Sequence, residues 1–263
     1  MIDELTIHER EPRQLRILQL TDTHIFESAG EDFDGLNTSA SLASVIEQVK
    51  NAGTDLDLVL VTGDLVHEPG QLAYAKLKSQ LQQFETPVVC LPGNHDEPGM
   101  MRDLLNDENV STSRLIRCSH WLIVLLDTSV EGSHGGRLPN KELDFLEQIL
   151  KANRQHVLIA LHHHPVNIHS TWMDGMMLEN GEEFFAVIDA YKQVKGIIWG
   201  HIHQEFRQER NSVQLYGSPS TCIQFKPGSE QYQRDSLPAG FSLLELSATG
   251  ACEIQTNYIS DVS

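Results

Sequence analysis

Five short polar clusters carry side chains able to do chemistry. Asp22 and His24 flank Thr23, and Asp64 follows Gly63. Asn94, His95 and Asp96 follow Gly93; His162, His163 and His164 precede Pro165; His201 and His203 flank Ile202 after Gly200. Together they offer carboxylate and amide oxygens and imidazole nitrogens. That mixed set suits borderline or hard divalent ions such as Fe, Mn, Zn or Co rather than thiolate-seeking metals. The candidate ligands are Asp22, His24, Asp64, Asn94, His162, His201 and His203. They outnumber the four of a tetrahedral structural site and suit two ions sharing one carboxylate. Two ions ~3.5–4 Å apart generate hydroxide near neutral pH and clamp the entering and leaving oxygens of an in-line displacement. Two divalent ions bring about +4, two carboxylates and a hydroxide remove about 3, and roughly +1 is left to attract a phosphate ester.

Each cluster alone has an ordinary reading. Gly-Asp is a common turn, Gly-Asn-His-Asp can be a polar loop, and histidine triplets are often solvated. What sets these apart is that each follows an apolar run of strand character, at 16–20, 58–61, 87–91, 157–161 and 197–199. Helical patterns lie between the runs. Leu42, Val45, Ile46 and Val49 are spaced i, i+3, i+4, i+7, with Thr38 or Ser39 as cap and Gly53 as stop. Leu77, Leu81 and Phe84 mark a second helix, and Leu143, Leu146 and Leu150 a third behind a cap at Asn140. Phe184, Phe185, Ile188 and Tyr191 mark a fourth.

This alternation predicts an α/β fold, in which ligands gather at the carboxyl ends of strands. The five clusters can therefore converge. Strand parity puts Asp22 with His24, and His201 with His203, on one face. In the triplet it favours His162, with His164 as the alternative of the same parity. Glycines 63, 93 and 200 let the backbone turn sharply beside the ligands. Candidate strands at 213–216, 241–246 and 253–258 make the chain β-rich from about residue 205, within one domain covering 1–263.

The 263 residues are 40% apolar and 21% charged, an ordinary globular balance. Lys plus Arg is 19 and Asp plus Glu is 37, a formal charge of −18. That charge repels polyanions, so the expected partner is a small substrate and neither a nucleic-acid polymer nor an anionic membrane. The apolar stretch 121–126 is too short to span a bilayer. No basic start is followed by an apolar segment, so the expected location is cytoplasmic. None of the four cysteines sits in a CxxC pair, and Cys90 reads as a buried free thiol.

GxSxG and P-loop motifs are missing from the sequence. His8, His120, His134 and His156 have no motif context and default to surface or core. His67 and Glu68 fall at the rim of the Gly-Asp cluster. Trp172, Met173, Met176 and Met177 either pack a loop or wall a base-sized pocket. Nothing in the sequence sets an oligomeric state.

The clusters together resemble the calcineurin-like metallophosphoesterases, whose pattern runs D-x-H, GD, GNH[DE], a strand-end His and GHxH. It spans residues 22 to 203, most of the chain. The resemblance implies a four-layer sandwich of two facing mixed β-sheets flanked by helices. It implies that Asp22, His24, Asp64 and His203 hold one ion. Asp64, Asn94, His162 and His201 would hold the other, with Asp64 bridging. His95 would be the general acid at the leaving oxygen, and Asn94 would stabilise added charge. His24, Asp64, Asn94, His95 and His203 would meet the substrate.

A closer likeness, carried by 16–24, 161–165, 200–205 and, outside the ligand motifs, 218–227, is to the class III cyclic nucleotide phosphodiesterases. It implies iron or manganese, and hydrolysis of 3′,5′-cyclic AMP to 5′-AMP by a hydroxide bridging the two ions. The enzymatic alternative is the same chemistry on a glycerophosphodiester, a nucleotide pyrophosphate or a 2′,3′-cyclic nucleotide.

Overall fold

The computed structural model describes residues 4–7 and 14–259; His8 lies outside them. Its first half runs β1 (Glu4–Thr6), β2 (Leu15–Leu20), α1 (Thr38–Asn51), β3 (Leu58–Thr62), α2 (Gln71–Leu81), β4 (Val88–Leu91), α3 (Pro98–Leu105), β5 (Val110–Ser111) and β6 (Leu115–Arg117). Its second half runs β7 (Trp121–Leu125), α4 (Asn140–Ala152), β8 (His156–Ala160), α5 (Thr171–Asp174), α6 (Gly181–Ile188), β9 (Val194–Trp199), β10 (Phe206–Arg210), β11 (Val213–Gly217), β12 (Gly240–Leu246) and β13 (Cys252–Tyr258).

The strands form two mixed sheets, ordered β1-β6-β7-β8-β9-β11-β10 and β13-β12-β2-β3-β4-β5. β2, β3 and β4 are parallel neighbours in one, and β7, β8, β9 and β11 in the other.

Continuous apolar strands arise because both faces of each sheet are buried. In β3, Leu58 and Leu60 point between the sheets, while Val59 and Val61 meet α1 and α2. In β7, Trp121, Ile123 and Leu125 point between the sheets, while Leu122 and Val124 meet α4 and α6. Three cores result, in the order helices, sheet, sheet, helices. Gln19 ties the sheets beneath the site, its amide donating to Thr62 Oγ1 at 3.0 Å and to the Trp199 carbonyl at 3.2 Å. Among the described residues no helix is long and apolar enough to cross a membrane.

Three details differ from expectation. Asn37, not Thr38 or Ser39, caps α1 by accepting from Ala40 N. Thr38 is thereby released to donate to the His24 carbonyl at 2.8 Å. Pro139 holds the N-cap position of α4 and Asn140 is its first residue. Helix α3, which starts at Pro98 behind a Glu97 cap and buries Met101 and Leu105, and strand β10, mostly exposed, are not among the elements read from the sequence.

Candidate metal centre

The parallel strands of both sheets deliver their carboxyl ends to one edge, and the five clusters meet there. The ligands lie just past the strands, not in them. β2 ends at Leu20 and β9 at Trp199, and Asp22, His24, Asp64, His201 and His203 all have φ between 44° and 67°. Strand parity therefore does not explain why Asp22 joins His24 or His201 joins His203; consecutive left-handed turns do. A left-handed non-glycine residue costs about 1–2 kcal/mol, so five of them hold roughly 5–10 kcal/mol of strain.

Such strain persists where surroundings over-determine it, characteristically at functional sites. Here Asp22 N and His24 N donate to the Gly63 and Asp64 carbonyls at 3.0 Å each. His201 N donates to both Asp22 carboxylate oxygens at 3.0 and 3.1 Å. Of the three glycines, only Gly63 uses a left-handed conformation, at φ 93°. Gly93 and Gly200 are needed for space: a Cβ would strike Asp64 at the first and Thr21 Oγ1 at the second.

Two donor groups face one another across Asp64. In the first, Asp22 Oδ1 lies 3.2 Å from His203 Nε2, which lies 3.4 Å from His24 Nε2. His24 Nε2 is 3.7 Å from Asp64 Oδ2. In the second, Asp64 Oδ1 lies 3.3 Å from His162 Nε2. The His162 ring packs at 5.0 Å from that of His201, and Asn94 Oδ1 is buried with no partner. Ligand atoms at ~2.0–2.2 Å from one ion lie ~3.0–3.5 Å apart, so the spacing fits divalent metal.

Three rings are tethered to a backbone carbonyl through one nitrogen, and at His162 and His203 the other faces a site carboxylate. His162 Nδ1 donates to Thr62 O at 2.8 Å, His203 Nδ1 to Ile223 O at 2.8 Å and His201 Nε2 to Met176 O at 3.2 Å. Carbonyl tethers of this kind orient metal-binding histidines. Burial disfavours charge on these rings. It holds His24 and His201 well below the usual histidine range. At His162 the Asp64 carboxylate overcomes burial and raises the ring to about 9, and Asp22 overcomes burial at His203 and holds it well above the usual histidine range. The buried carboxylates thus favour positive charge at both ring positions.

His95 stands beside the groups, its Nδ1 donating to the His67 carbonyl at 2.7 Å and its backbone N to Asp64 Oδ1 at 3.0 Å. Its ring lies 4.8 Å from His24, and its Nε2 is left without a backbone tether. The His162–His164 segment has left strand β8, so parity fails here too. His163, not His164, brings a nitrogen within 4.8 Å of the His162 and His201 nitrogens. His164 stacks on His201 with neither ring nitrogen hydrogen-bonded.

Several contributors have roles that the sequence did not disclose. Asp96 accepts from Gly93 N at 2.9 Å, Leu65 N at 3.0 Å and Tyr74 Oη at 3.1 Å, pinning the Asn94–His95 loop to the Asp64 loop. Burial and the Asp64 charge push its carboxyl up to about 7. His67 stacks on Phe26 at 4.3 Å and supplies the His95 tether. His134, expected to be unconnected, is exposed but lies 6.1 Å from His95.

The 218–227 segment braces ligands: Ser220 Oγ donates to Asp22 O, Thr221 N to Thr21 O, and Ile223 O anchors His203. Met173 is core and Met176 lends His201 its carbonyl, so the Trp172–Met177 group packs and positions more than it walls.

A family model described as calcineurin-like phosphoesterase matches residues 15–205. The chain belongs to that family of metal-dependent hydrolases. Over 96% of this chain and 93% of its own length, a 3′,5′-cyclic adenosine monophosphate phosphodiesterase of Haemophilus influenzae is 34% identical. A 3′,5′-cyclic-nucleotide phosphodiesterase of Nostoc is 39% identical over 90% and 89% respectively. The corresponding Escherichia coli cyclic-AMP enzyme is 36% identical over 94% and 91%. Among solved structures, a dimetal phosphatase from Danio rerio matches 94% of this chain and 100% of its own with a TM-score of 0.62. A purple acid phosphatase from yellow lupin matches 96% and 53% with a TM-score of 0.64. Both are 15% identical and speak for the fold alone.

Proposed function

We propose that the chain is a 3′,5′-cyclic-AMP phosphodiesterase carrying two divalent ions, iron or manganese, on Asp22, His24, Asp64, Asn94, His162, His201 and His203. The observation that carries the dinuclear reading is Asp64, whose two oxygens face two separate histidine groups at 3.7 and 3.3 Å. The choice of cyclic AMP is supported by relatives at 34–39% identity that are cyclic-nucleotide phosphodiesterases along nearly their whole length.

When bound, the ions supply an activated water and positive charge at the phosphate. Around them, this chain's residues orient and donate. The reaction adds water across the P–O3′ bond: oxygen joins phosphorus and a proton joins the departing 3′ oxygen. His95 is the donor, giving the proton from Nε2 while the His67 carbonyl keeps Nδ1–H fixed. The Asn94 amide sits in the same loop, held by Asp96, where charge grows on the phosphate oxygens. A formal charge of −18 over the whole chain is consistent with a small substrate.

The test is turnover by purified, metal-loaded protein of cyclic AMP, cyclic GMP, a 2′,3′-cyclic nucleotide, a nucleotide pyrophosphate and a glycerophosphodiester. The highest kcat/KM should be on cyclic AMP, with 5′-AMP as product. Equal or better turnover of the glycerophosphodiester would overturn the assignment.

A further inference from the structure

Phe33 opens a four-residue turn closed by reciprocal backbone hydrogen bonds with Leu36 at 2.9 and 3.1 Å. Asp34 and Gly35 between them are both left-handed, as a type I′ turn requires. The turn holds the half-buried Phe33 ring edge-on to His24 at 4.9 Å and 6.2 Å from His203, both candidate ligands of one ion. Phe225 in turn lies flat on His203 at 4.1 Å, and Tyr232 packs on Phe225 at 5.5 Å. The Tyr232 hydroxyl then donates to the Asp34 carboxylate at 2.9 Å. Arg234 donates to the Asp34 carbonyl at 2.5 Å. The contacts close a circuit from Phe33 through His203, Phe225, Tyr232 and Asp34 back to Phe33. A ring serving only as packing needs no such tether to the facing loop, and Tyr232 keeps 48% of its surface exposed at this rim.

We propose that Phe33 is a specificity-determining residue, the surface on which the substrate's heterocyclic base rests, and that Asp34, Tyr232 and Arg234 form the clasp that positions it. This deepens the cyclic-nucleotide reading and rests on it. A 3′,5′-cyclic phosphate is a rigid fused ring, so base and phosphorus keep a short, fixed separation. An aromatic side chain can reach the base only if it sits, as Phe33 does, against the rings that surround the phosphate site. Stacking on an aromatic ring accepts any base and contributes about 1–3 kcal/mol, so the clasp favours nucleotides over base-free diesters without choosing among bases.

The experiment compares cyclic AMP with base-free ribose 3′,5′-cyclic phosphate, using the metal-loaded full chain with Phe33→Ala, Phe33→Trp, Asp34→Ala and Tyr232→Phe. Phe33→Ala should lower the kcat/KM preference for cyclic AMP about tenfold, through KM, and Phe33→Trp should restore it. Asp34→Ala and Tyr232→Phe should each lower it roughly threefold alone and no further in the Phe33→Ala background, as positioning residues must. Calorimetric binding of 5′-AMP against ribose 5-phosphate should show the same loss.

Equal losses on both esters would make Phe33 a mere prop for His24 and overturn the proposal. So would wild-type turnover of cyclic AMP that Phe33→Ala leaves unchanged, with the phosphodiesterase reading intact. A metal-loaded wild type that ignores cyclic AMP would overturn both.

Discussion

Replacing Asp96 by alanine should unhook the loop that carries Asn94 and His95. The carboxylate is 8% exposed and accepts three hydrogen bonds between 2.9 and 3.1 Å, from Gly93 N, Leu65 N and Tyr74 Oη. A buried donor left without an acceptor costs about 1–3 kcal/mol. With water relieving part of the loss, the three together give about 3–5 kcal/mol. In a chain of this size that lowers Tm by roughly 5–9 °C.

Asparagine should behave differently. Its single oxygen can take the place of Oδ2 and keep the two short backbone donors, Gly93 N and Leu65 N, while only the long 3.4 Å bond from Val66 N is lost. Its amide then faces Tyr74 Oη, which can turn to accept. Asp96→Asn should therefore cost only about 1 kcal/mol. The assay is thermal and urea unfolding of metal-free protein in chelator, so that ligand binding does not mask the difference. An Asp96→Ala variant within 1 kcal/mol of wild type, or an asparagine variant as damaged as the alanine one, would refute the reasoning.

Three further outcomes are expected. His95→Ala should lower kcat on cyclic AMP about 10²–10⁴-fold while metal content, measured by elemental analysis, stays as in wild type. Gly200→Ala drives a Cβ into Thr21 Oγ1 and towards Asp22; it should cost about 1–3 kcal/mol and lower the metal-to-protein ratio after gel filtration. Asp107→Asn tests a carboxylate remote from the centre. Its oxygens accept from Val110 N and Asn109 N at 2.8 Å each and pair with Lys78, which hold its carboxyl well below the usual range. A depressed folded pKa stabilises above the unfolded value of 3.8 and is lost as pH falls through the folded one. The Tm gap between wild type and Asp107→Asn should thus be largest near pH 7 and shrink steadily below about pH 4.

The layers and the gathering of ligands were legible because both rest on strong local signals. Runs such as 58–61 and 157–161 read as strands buried on both faces, and polar clusters at their ends could only collect at one edge. The geometry within the clusters was not legible. Parity assumes extended backbone, but Asp22, His24, His201 and His203 sit in left-handed turns stabilised by bonds from 40 to 180 residues away, which local sequence does not encode. The same reason hid Asp96, whose donors come from three separate segments, and Thr38, whose hydroxyl turned out to serve His24 rather than the helix start. His67 acts through its backbone carbonyl, which any residue would supply, so its side-chain type carried no signal for the His95 tether. Phe33 lacked a periodic partner and is placed only by the clasp across the site.

Titration of chelator-stripped protein with manganese or ferrous ion, followed by equilibrium binding and by cyclic-AMP hydrolysis on the same samples, addresses the dinuclear centre most directly. Two equivalents should bind per chain, hydrolysis should be absent before addition and should rise with them, and Asp64→Ala should weaken both equivalents together. Undiminished hydrolysis in the stripped protein, or an Asp64→Ala variant that still binds two ions as tightly as wild type, would contradict a centre built across that carboxylate.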